Sequence, residues 1–365
     1  MDISALDGIS RSRLADKGLR LSGSLARRAG KAFKLLWEWV RLPFDRDYRI
    51  FFQNFWYGGK DQANIWFYPV IASLYSRLDP SAACRISRIR PHLGMLSVLG
   101  DAGKIEAVRA QRRAFFTGEC VRPKGPTEWS IYSDYRLDKV DLAIGFDFEG
   151  SVNNPKYLRF PLWIMYLFNG LEEKDEVAAK VAELNECRFP KSKFCALVAR
   201  HDKNGIRTKI YEAISRIAKV DCAGPWNRND RSLIDAFGDD KQSYLKQYQF
   251  NICPENTQGE GYVTEKLFQS FQSGCIPIYN GYCDDPEPFV VDKNAFIFWS
   301  EEGDNDEAVE RVRRLSMDDA EYGRFLRRPP FKADAVDFIW ESLERLRSRL
   351  GAILPVKISR TIGRA

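Results

Sequence analysis

The chain has 365 residues, of which 44% are hydrophobic and 29% are charged. This ordinary globular composition excludes a disordered protein, and the length favours two domains over one. The net charge of +6 is concentrated at the ends, since residues 1–48 and 341–365 each carry a net +4, and this distribution disfavours a nucleic-acid-binding face.

The eight cysteines are scattered, with no CxxC pair and no close set of Cys and His ligands. This pattern favours a reducing compartment and argues against a structural zinc site. No run of about 18 apolar residues is present, so no membrane-spanning helix is predicted. The N-terminus lacks the apolar core of a signal peptide. We therefore expect a cytoplasmic protein.

The first predicted element is an amphipathic helix over residues 22–42, inside an N-terminal arm of residues 1–48. At 100° per residue its apolar side chains share one arc and its cations the opposite arc, and Pro43 marks its end. Such a helix either lies on an anionic membrane surface or packs on the protein's own body, and both alternatives stay open. The apolar arc holds Leu25, Ala29, Ala32, Phe33, Leu36, Trp37 and Val40.

Residues 49–185 are predicted to form the first domain. Its strands are expected over residues 49–56, 113–117 and 141–147. These are short apolar runs bounded by polar residues, as in buried strands. Asp61 is suited to cap the helix that follows the first strand. The charged, helix-prone run over residues 172–186 leads into the second domain.

Residues 186–330 are predicted to form the second domain, in which strands and helices alternate. Strands are expected over residues 194–199, 220–223, 250–253, 275–279 and 295–299, and helices over residues 207–219, 241–247 and 306–315. This alternation indicates βαβ units and a doubly wound parallel sheet, an α/β fold. A helix over residues 335–350 and a basic tail complete a C-terminal segment, residues 331–365.

The stretch Tyr248–Gly281 combines a buried strand, a glycine-containing loop, a helix and a second buried strand. A loop that opens a helix after a strand is a favourable anion site, because free N–H groups and the helix dipole point at the ligand. Lys266 lies in the first helical turn, where the dipole disfavours a cation unless a negative group is near. Its position predicts a phosphate at this site.

This stretch resembles the nucleotide-sugar signature of the α1,3/4-fucosyltransferases, glycosyltransferase family GT10. The matching residues are Tyr248-Gln249-Phe250, Glu255-Asn256, Tyr262-Val263-Thr264-Glu265-Lys266, Pro277-Ile278 and Gly281. Gln249 is a departure, since the family usually has Lys there. A match of this length at fixed spacing is far more specific than a lone glycine motif.

The resemblance implies a GT-B fold with two Rossmann-like domains facing across a cleft, the first (residues 49–185) binding the acceptor and the second (residues 186–330) binding the nucleotide-sugar donor. It also implies an inverting transfer of L-fucose from GDP-β-L-fucose to a hydroxyl of an acceptor glycan. By the same resemblance, Arg207 and Lys266 bind the diphosphate, Glu265 binds the ribose hydroxyls, and Asn256 and Tyr262 make further donor contacts. Glu255 belongs to the same predicted donor site.

A second resemblance identifies the candidate general base. Phe115-Phe116-Thr117-Gly118-Glu119 is similar to the family's Phe-Tyr-Thr-Gly-Glu segment, and residues 141–147 are similar to the segment that follows it. Glu119 therefore corresponds to the catalytic carboxylate. The chain's two histidines, His92 and His201, lie in no motif, which also favours a carboxylate as the base.

A metal-dependent mechanism is the rival prediction. Asp45-Arg46-Asp47 precedes the first strand instead of following one, and Asp147-Phe148-Glu149 is a looser match to Asp-x-Asp. Two cations on the diphosphate can replace a divalent ion. We therefore expect no metal, no cofactor, and activity that survives EDTA.

Two other functions compete with fucosyl transfer. One is a GT-B transferase that uses a different nucleotide sugar, because the residues themselves indicate only a diphosphate site. The other is a non-catalytic, lectin-like or scaffold protein that retains the fold. The acceptor and the linkage, α1,3 or α1,4, stay open. The absence of an anchor suggests a bacterial type acting on an oligosaccharide or lipid-linked glycan at the inner membrane face.

Overall fold

The computed structural model describes residue 40, residues 47–57 and residues 59–355. Apart from Val40, the predicted amphipathic helix over residues 22–42 lies outside the described residues. The last ten residues of the basic tail also lie outside them, as do Asp45 and Arg46. Whether the arm binds lipid or packs on the body therefore stays a prediction.

The first sheet has six parallel strands in the order β2-β1-β3-β4-β5-β6. Its strands are β1 (Tyr48–Gln53), β2 (Cys84–Ile86), β3 (Leu93–Leu96), β4 (Arg112–Phe116), β5 (Leu142–Gly145) and β6 (Tyr157–Arg159). β1 ends three residues earlier than predicted because Asn54 adopts a left-handed conformation with φ of 62°, which breaks the extended backbone.

The helices of this first part are α1 (Phe67–Leu78), α2 (Ala102–Glu106), α3 (Glu149–Val152), α4 (Leu162–Leu167) and α5 (Lys174–Asn185). The prediction that Asp61 caps α1 is wrong. Asp61 lies inside a preceding 3-10 helix, Gly59–Asn64. The side-chain amide of Gln62 bonds both backbone groups of Phe52, at 2.7 and 3.3 Å, and so fastens this 3-10 helix to β1.

The second sheet has five parallel strands in the order β11-β10-β9-β7-β8. Its strands are β7 (Lys193–Leu197), β8 (Val220–Cys222), β9 (Tyr248–Ile252), β10 (Ile276–Tyr279) and β11 (Ile297–Phe298). The helices of this second part are α6 (Ile206–Ile214), α7 (Ser232–Asp235), α8 (Lys241–Leu245), α9 (Glu265–Gln272), α10 (Asp306–Met317) and α11 (Asp319–Leu326). The predicted parallel α/β fold is confirmed. The order of the strands reverses between β7 and β9, and open α/β sheets bind ligands at such a point, beyond the carboxyl ends of the strands.

A shared hydrophobic core joins the two sheets. The indole of Trp163 on α4 stacks on the ring of Phe268 on α9, with centroids 4.2 Å apart and an interplanar angle of 17°. The last helix, α12 (Ala335–Ile353), packs on α1 and α5, so the chain returns to the first domain. Helix α9 is thereby held firmly against the first domain.

A buried carboxylate also crosses the junction. Glu287, which follows β10, accepts hydrogen bonds from Arg159 Nη2 at 2.8 Å and Trp163 Nε1 at 3.0 Å. The side chains of Arg159 and Glu287 are only 10% and 3% exposed. Arg159 Nε donates in addition to the carbonyl of Phe146, at 3.0 Å. The pair therefore satisfies its buried charges across the two domains.

Glu287→Ala is expected to lower the free energy of unfolding by about 3–5 kcal/mol, because it leaves the Arg159 charge buried without its partner. Urea denaturation followed by circular dichroism measures this change. Glu302→Ala is the matched control, since it removes an exposed carboxylate that pairs with Lys124 across the same junction, and such pairs contribute about 0–1 kcal/mol. Equal effects of the two substitutions would contradict the expectation.

Within the described ranges, no helix has both the length and the apolar character needed to cross a bilayer. All eight cysteines are unpaired, and five of them are buried. Buried free thiols of this kind behave as small hydrophobic side chains.

Candidate active site

Glu255 organises the start of α9. It follows β9, is 1% exposed, and accepts hydrogen bonds from Thr264 N at 2.8 Å and Thr264 Oγ1 at 2.7 Å. Lys266 Nζ donates to the same carboxylate at 2.9 Å. The sequence predicted a phosphate as the negative partner of Lys266, but the chain itself supplies one in Glu255, so the position of Lys266 alone does not require a phosphate. Glu255 is placed to orient Lys266, and its oxygens are already occupied.

Lys266 remains a cation at the edge of the cleft, with 18% of its side chain exposed. Burial lowers the pKa of its ammonium, but the carboxylates of Glu255 and Glu265 outweigh this effect and the pKa is raised above its ordinary value. Glu265 is the first residue of α9 and is half-buried. Lys266 therefore stays charged, and because Glu255 and Thr264 accept from two of its three N–H donors, one donor remains for a ligand.

Arg207 supplies a second cation from the first turn of α6. The residue is 5% exposed, and its Nη2 donates to Asn256 Oδ1 at 2.9 Å. Its Nη1 is buried and has no hydrogen-bond partner among the described residues. Burial lowers the pKa of the guanidinium, although arginine stays charged in proteins. A buried guanidinium nitrogen without a partner is suited to a phosphate oxygen.

Arg207 and Asn256 lie where the strand order of the second sheet reverses, between β7 and β9. Arg207 follows β7 and Asn256 follows β9, and these strands are neighbours. Ligands of open α/β sheets bind at this position. The structure thus brings Arg207, Asn256, Glu265 and Lys266 to one edge of one sheet.

The glycines of the loop before α9 do not form the open phosphate loop that the sequence indicated. A Cβ at Gly259 would lie 2.3 Å from Cys120 Sγ, and one at Gly261 would lie 2.4 Å from the carbonyl oxygen of Phe146. Gly259 also forms a β-bridge with Pro123. Both glycines therefore serve close packing against the first domain.

Glu119 follows β4 on the other side of the cleft. Its backbone N–H donates to Thr117 Oγ1 at 3.0 Å, and that hydroxyl donates to the Glu119 carbonyl at 2.7 Å. The half-buried position raises the pKa of the Glu119 carboxyl. Lys266 opposes this rise most strongly, whereas Glu265 adds to it. Glu119 therefore faces the charged groups at the start of α9.

Tyr262 is buried between these groups. It is 2% exposed and packs edge-on against Phe146, with ring centroids 4.8 Å apart. Burial first, and then the carboxylates of Glu119 and Glu255, raise the pKa of its hydroxyl well above the ordinary value. The hydroxyl therefore remains protonated and can donate a hydrogen bond.

Three supporting residues were assigned no role from the sequence. The Thr264 hydroxyl links Lys266 to Glu255, accepting from Lys266 Nζ at 2.9 Å. Asp202 caps α6, accepting from Arg207 N at 3.1 Å. Lys241 donates to Gln269 Oε1 at 2.9 Å, and burial lowers the pKa of its ammonium. An Asp shortly before a predicted helix is a capping signal, and Thr264 stands in the matched motif without an assigned role, but no sequence signal reveals Lys241.

The described residues of the two rival Asp-x-Asp matches are engaged elsewhere, and Asp47 lies 3.6 Å from Arg85 Nε. Asp147 lies 3.4 Å from Arg122 Nε, and Glu149 pairs with Arg345. In the described part of the chain, no three His, Cys, Asp or Glu side chains cluster as metal ligands. Metal independence itself stays a prediction.

Comparisons with known proteins agree with this geometry. Residues 189–341 match the family described as glycosyltransferase family 10 (fucosyltransferase) C-term, and residues 50–166 match the alpha-(1,3)-fucosyltransferase FucT N-terminal domain. A crystal structure of an alpha1,3-fucosyltransferase superposes with a TM-score of 0.54 at 22% identity, covering 83% of this chain and 91% of that one. A structure of such an enzyme with GDP-fucose gives a TM-score of 0.52 at 21% identity, with the same coverage. These likenesses confirm the predicted GT-B fold.

Curated relatives match over shorter stretches. The alpha-(1,3)-fucosyltransferase FucT of Helicobacter pylori is 30% identical over 243 residues, covering 60% of this chain and 47% of the relative. A putative fucosyltransferase-like protein of Arabidopsis thaliana is 30% identical over 133 residues, covering 36% of this chain and 25% of the relative. The chain thus spans half or less of the length of these relatives. The two family matches together cover well over half of the chain, which belongs to glycosyltransferase family 10, the fucosyltransferase family.

Proposed function

We propose that this protein transfers L-fucose from GDP-β-L-fucose to a hydroxyl of an acceptor glycan, with inversion at the anomeric carbon. The observation that supports this best is the placement of Glu119 opposite Lys266, beside a buried Arg207 with an unpartnered nitrogen. One side of the cleft thus offers a base, and the other offers positive charge.

The reaction follows from these two roles. The Glu119 carboxylate accepts the proton of the acceptor hydroxyl as its oxygen attacks C1 of fucose. The bond from C1 to the diphosphate oxygen breaks, and GDP leaves with the bonding electrons. Arg207 and Lys266 stabilise the charge that develops on the diphosphate. The transition state resembles an oxocarbenium ion, as in glycoside hydrolysis.

Further contacts with the donor are assigned by similarity. Glu265 binds the ribose hydroxyls, while Asn256 and Tyr262 donate hydrogen bonds. Glu255 acts through Lys266, because its own oxygens are taken by Thr264 and Lys266. The solved relative with GDP-fucose supports this donor, and so does the named activity of the Helicobacter pylori relative. Arg207 and Lys266 supply the positive charge that a metal ion would otherwise supply, so the proposed mechanism includes no metal.

The acceptor is proposed to be an oligosaccharide or a lipid-linked glycan, joined through an α1,3 or α1,4 linkage. The proposed place of action is the cytoplasm, with the basic N-terminal arm and tail available for contact with the inner face of the cell membrane. The formal charge of +6, which is concentrated in those ends, supports such contact.

GDP is expected to raise the melting temperature more than UDP or ADP at equal concentration, because a preferred ligand stabilises the folded state by mass action. Differential scanning fluorimetry measures the shifts, and release of GDP from GDP-fucose, compared with GDP-mannose, measures turnover. A larger shift with UDP or ADP would favour a transferase with a different nucleotide sugar. GDP binding without turnover of any donor, in the presence of a neutral glycan array, would favour the non-catalytic alternative.

A further inference from the structure

The segment that follows Glu119, residues 120–124, runs across to the second domain. Its Pro123 forms an antiparallel β-bridge with Gly259, in the loop before α9. The backbone N–H of the next residue donates to the carbonyl of Gln258 at 2.8 Å. The place of Glu119 relative to the donor site therefore depends on how this linking segment is held.

Arg122, in the middle of the linking segment, is anchored in the first domain. Its Nε donates to the Ser133 carbonyl at 2.8 Å, and its Nη1 donates to the Ser151 carbonyl at 3.3 Å. The guanidinium lies over the ring of Tyr135, 5.3 Å from the centroid. Although 35% of the Arg122 side chain is exposed, these contacts fix the orientation of its planar group.

Asp147 follows β5 and supplies a countercharge to Arg122. Its Oδ2 lies 3.4 Å from Arg122 Nε, and its side chain is only 4% exposed. This oxygen is buried and accepts no hydrogen bond from the described residues. Burial raises the pKa of the Asp147 carboxyl, although a hydrogen bond from Tyr135 and the charge of Arg122 oppose the rise. Since a buried carboxylate depends on such partners to stay charged, Asp147 and Arg122 hold each other in place.

Backbone strain lies next to this ion pair. Tyr135 and Arg136 have φ of 52° and 50°, two consecutive left-handed conformations that residues other than glycine rarely adopt. The Tyr135 ring packs on Tyr157 with centroids 4.7 Å apart, and a Cβ at Gly145 would lie 2.4 Å from it. Strain of this kind persists where the surroundings hold it, and it clusters near functional sites. Here it seats the ring on which the Arg122 guanidinium lies.

A similar ion pair joins the amino ends of the same two strands. Arg112 at the start of β4 lies 2.9 Å from Asp141, the residue before β5. Glu119 and Asp147, in contrast, follow the carboxyl ends of β4 and β5. The two pairs thus share their strands and their chemistry but differ in their distance along the chain from the candidate base.

We propose that Arg122 and Asp147 are positioning residues for the general base, and that they hold the linking segment so that Glu119 keeps its place opposite the donor site. In this role neither side chain contacts the substrate. The inference rests on the proposed function and adds two residues to it. A misplacement of about 1 Å can lower a rate about 10²-fold, so loss of the anchor slows the chemical step. Donor affinity depends on the cations of the second domain and stays in place.

Arg122→Ala and Asp147→Asn are the test variants, and Arg112→Ala is the matched control. The rate is measured as release of GDP from GDP-fucose, with N-acetyllactosamine or water as the acceptor. Each test variant is expected to lower kcat about 10–100-fold, whereas the KM for GDP-fucose and the affinity and stoichiometry of GDP binding stay at their wild-type values. An unchanged stoichiometry shows that the whole sample is folded. Arg112→Ala alters none of these quantities.

A double-variant cycle shows whether the pair acts through Glu119. In the Glu119→Gln background the base is already lost, so adding Arg122→Ala is expected to lower the remaining rate by less than about twofold. A further loss as large as the one in the wild-type background overturns the inference, because Arg122 then acts by a route that does not involve Glu119.

The other outcomes separate this inference from the proposed function. Wild-type kcat in both Arg122→Ala and Asp147→Asn overturns the positioning role and leaves fucosyl transfer standing. A loss of GDP affinity that accounts for the whole fall in rate overturns it as well, since the pair then supports the donor site. A wild-type protein that binds GDP but releases none from GDP-fucose with either acceptor contradicts the proposed function, and the inference falls with it.

Discussion

Glu119→Gln is expected to lower kcat about 10²–10⁴-fold, the contribution typical of a positioned general base. The substitution keeps the size of the side chain but removes its ability to accept a full proton. Affinity for GDP should stay near the wild-type value, because the cations that bind the diphosphate belong to the other domain. GDP release assays and a GDP titration measure the two quantities separately.

The pH dependence of the wild type gives an independent test. Burial raises the pKa of Glu119, and the opposing charge of Lys266 does not cancel the rise. A base works only when deprotonated. We therefore expect kcat/KM to increase as the pH rises through the pKa of Glu119, which lies above the usual glutamate value, and to be low at more acidic pH. Glu119→Asp should retain a rising limb at lower overall activity.

Glu128→Gln is the matched control for this prediction. Glu128 also carries a carboxylate near Glu119, but its side chain is 57% exposed and pairs with Lys203 at 3.1 Å. Its loss should leave turnover close to normal. Near-normal turnover by Glu119→Gln would remove Glu119 as the base and would leave the donor site untouched.

The sequence predicts the second sheet well because its strands are buried on both faces. β10 is buried at every position, and β9 at every position but Gln249. Such strands appear as continuous apolar runs that alternate with helices. The first sheet is harder to read, since β2 has three residues, none of them buried. Its existence depends on pairing with β1, which is a tertiary effect.

The candidate site shows the same limit. The sequence places Arg207, Asn256 and Lys266 on neighbouring loops, and the structure places them at one edge of the sheet. The sequence does not reveal that Glu255 pairs with Lys266, because only the geometry of the loop and the start of α9 brings the two residues together. Nor does it distinguish a glycine that approaches a ligand from Gly259, which approaches Cys120. These distinctions require knowledge of the opposite domain.

Lys266→Met is expected to lower kcat about 10²–10³-fold, the usual loss for one preorganised charge contact, and to weaken GDP binding. The ammonium stabilises the charge on the leaving diphosphate, and methionine of similar length carries no charge. Because Glu255 is 1% exposed, the substitution also leaves its carboxylate buried without a cation. A loss of about 3–5 kcal/mol in the free energy of unfolding is therefore expected as well.

Arg207→Ala provides a comparison without this structural effect. Its neighbour Asp202 keeps three hydrogen bonds, from the backbone of residue 207 and from the backbone and hydroxyl of Thr208. The variant should therefore weaken GDP binding and lower turnover with little change in the free energy of unfolding. Isothermal titration with GDP and urea denaturation measure the two effects.

The double variant Glu255→Gln/Lys266→Met separates the chemical role of Lys266 from its structural role. Removing both charges restores a neutral buried pair, and replacing a buried ion pair as a whole costs far less stability than breaking it. Thr264 can still donate to the glutamine oxygen. The double variant should therefore regain most of the lost stability but none of the lost turnover. Recovery of turnover together with stability would show that Lys266 only supports the fold, and the positive charge opposite Glu119 would then rest on Arg207 alone.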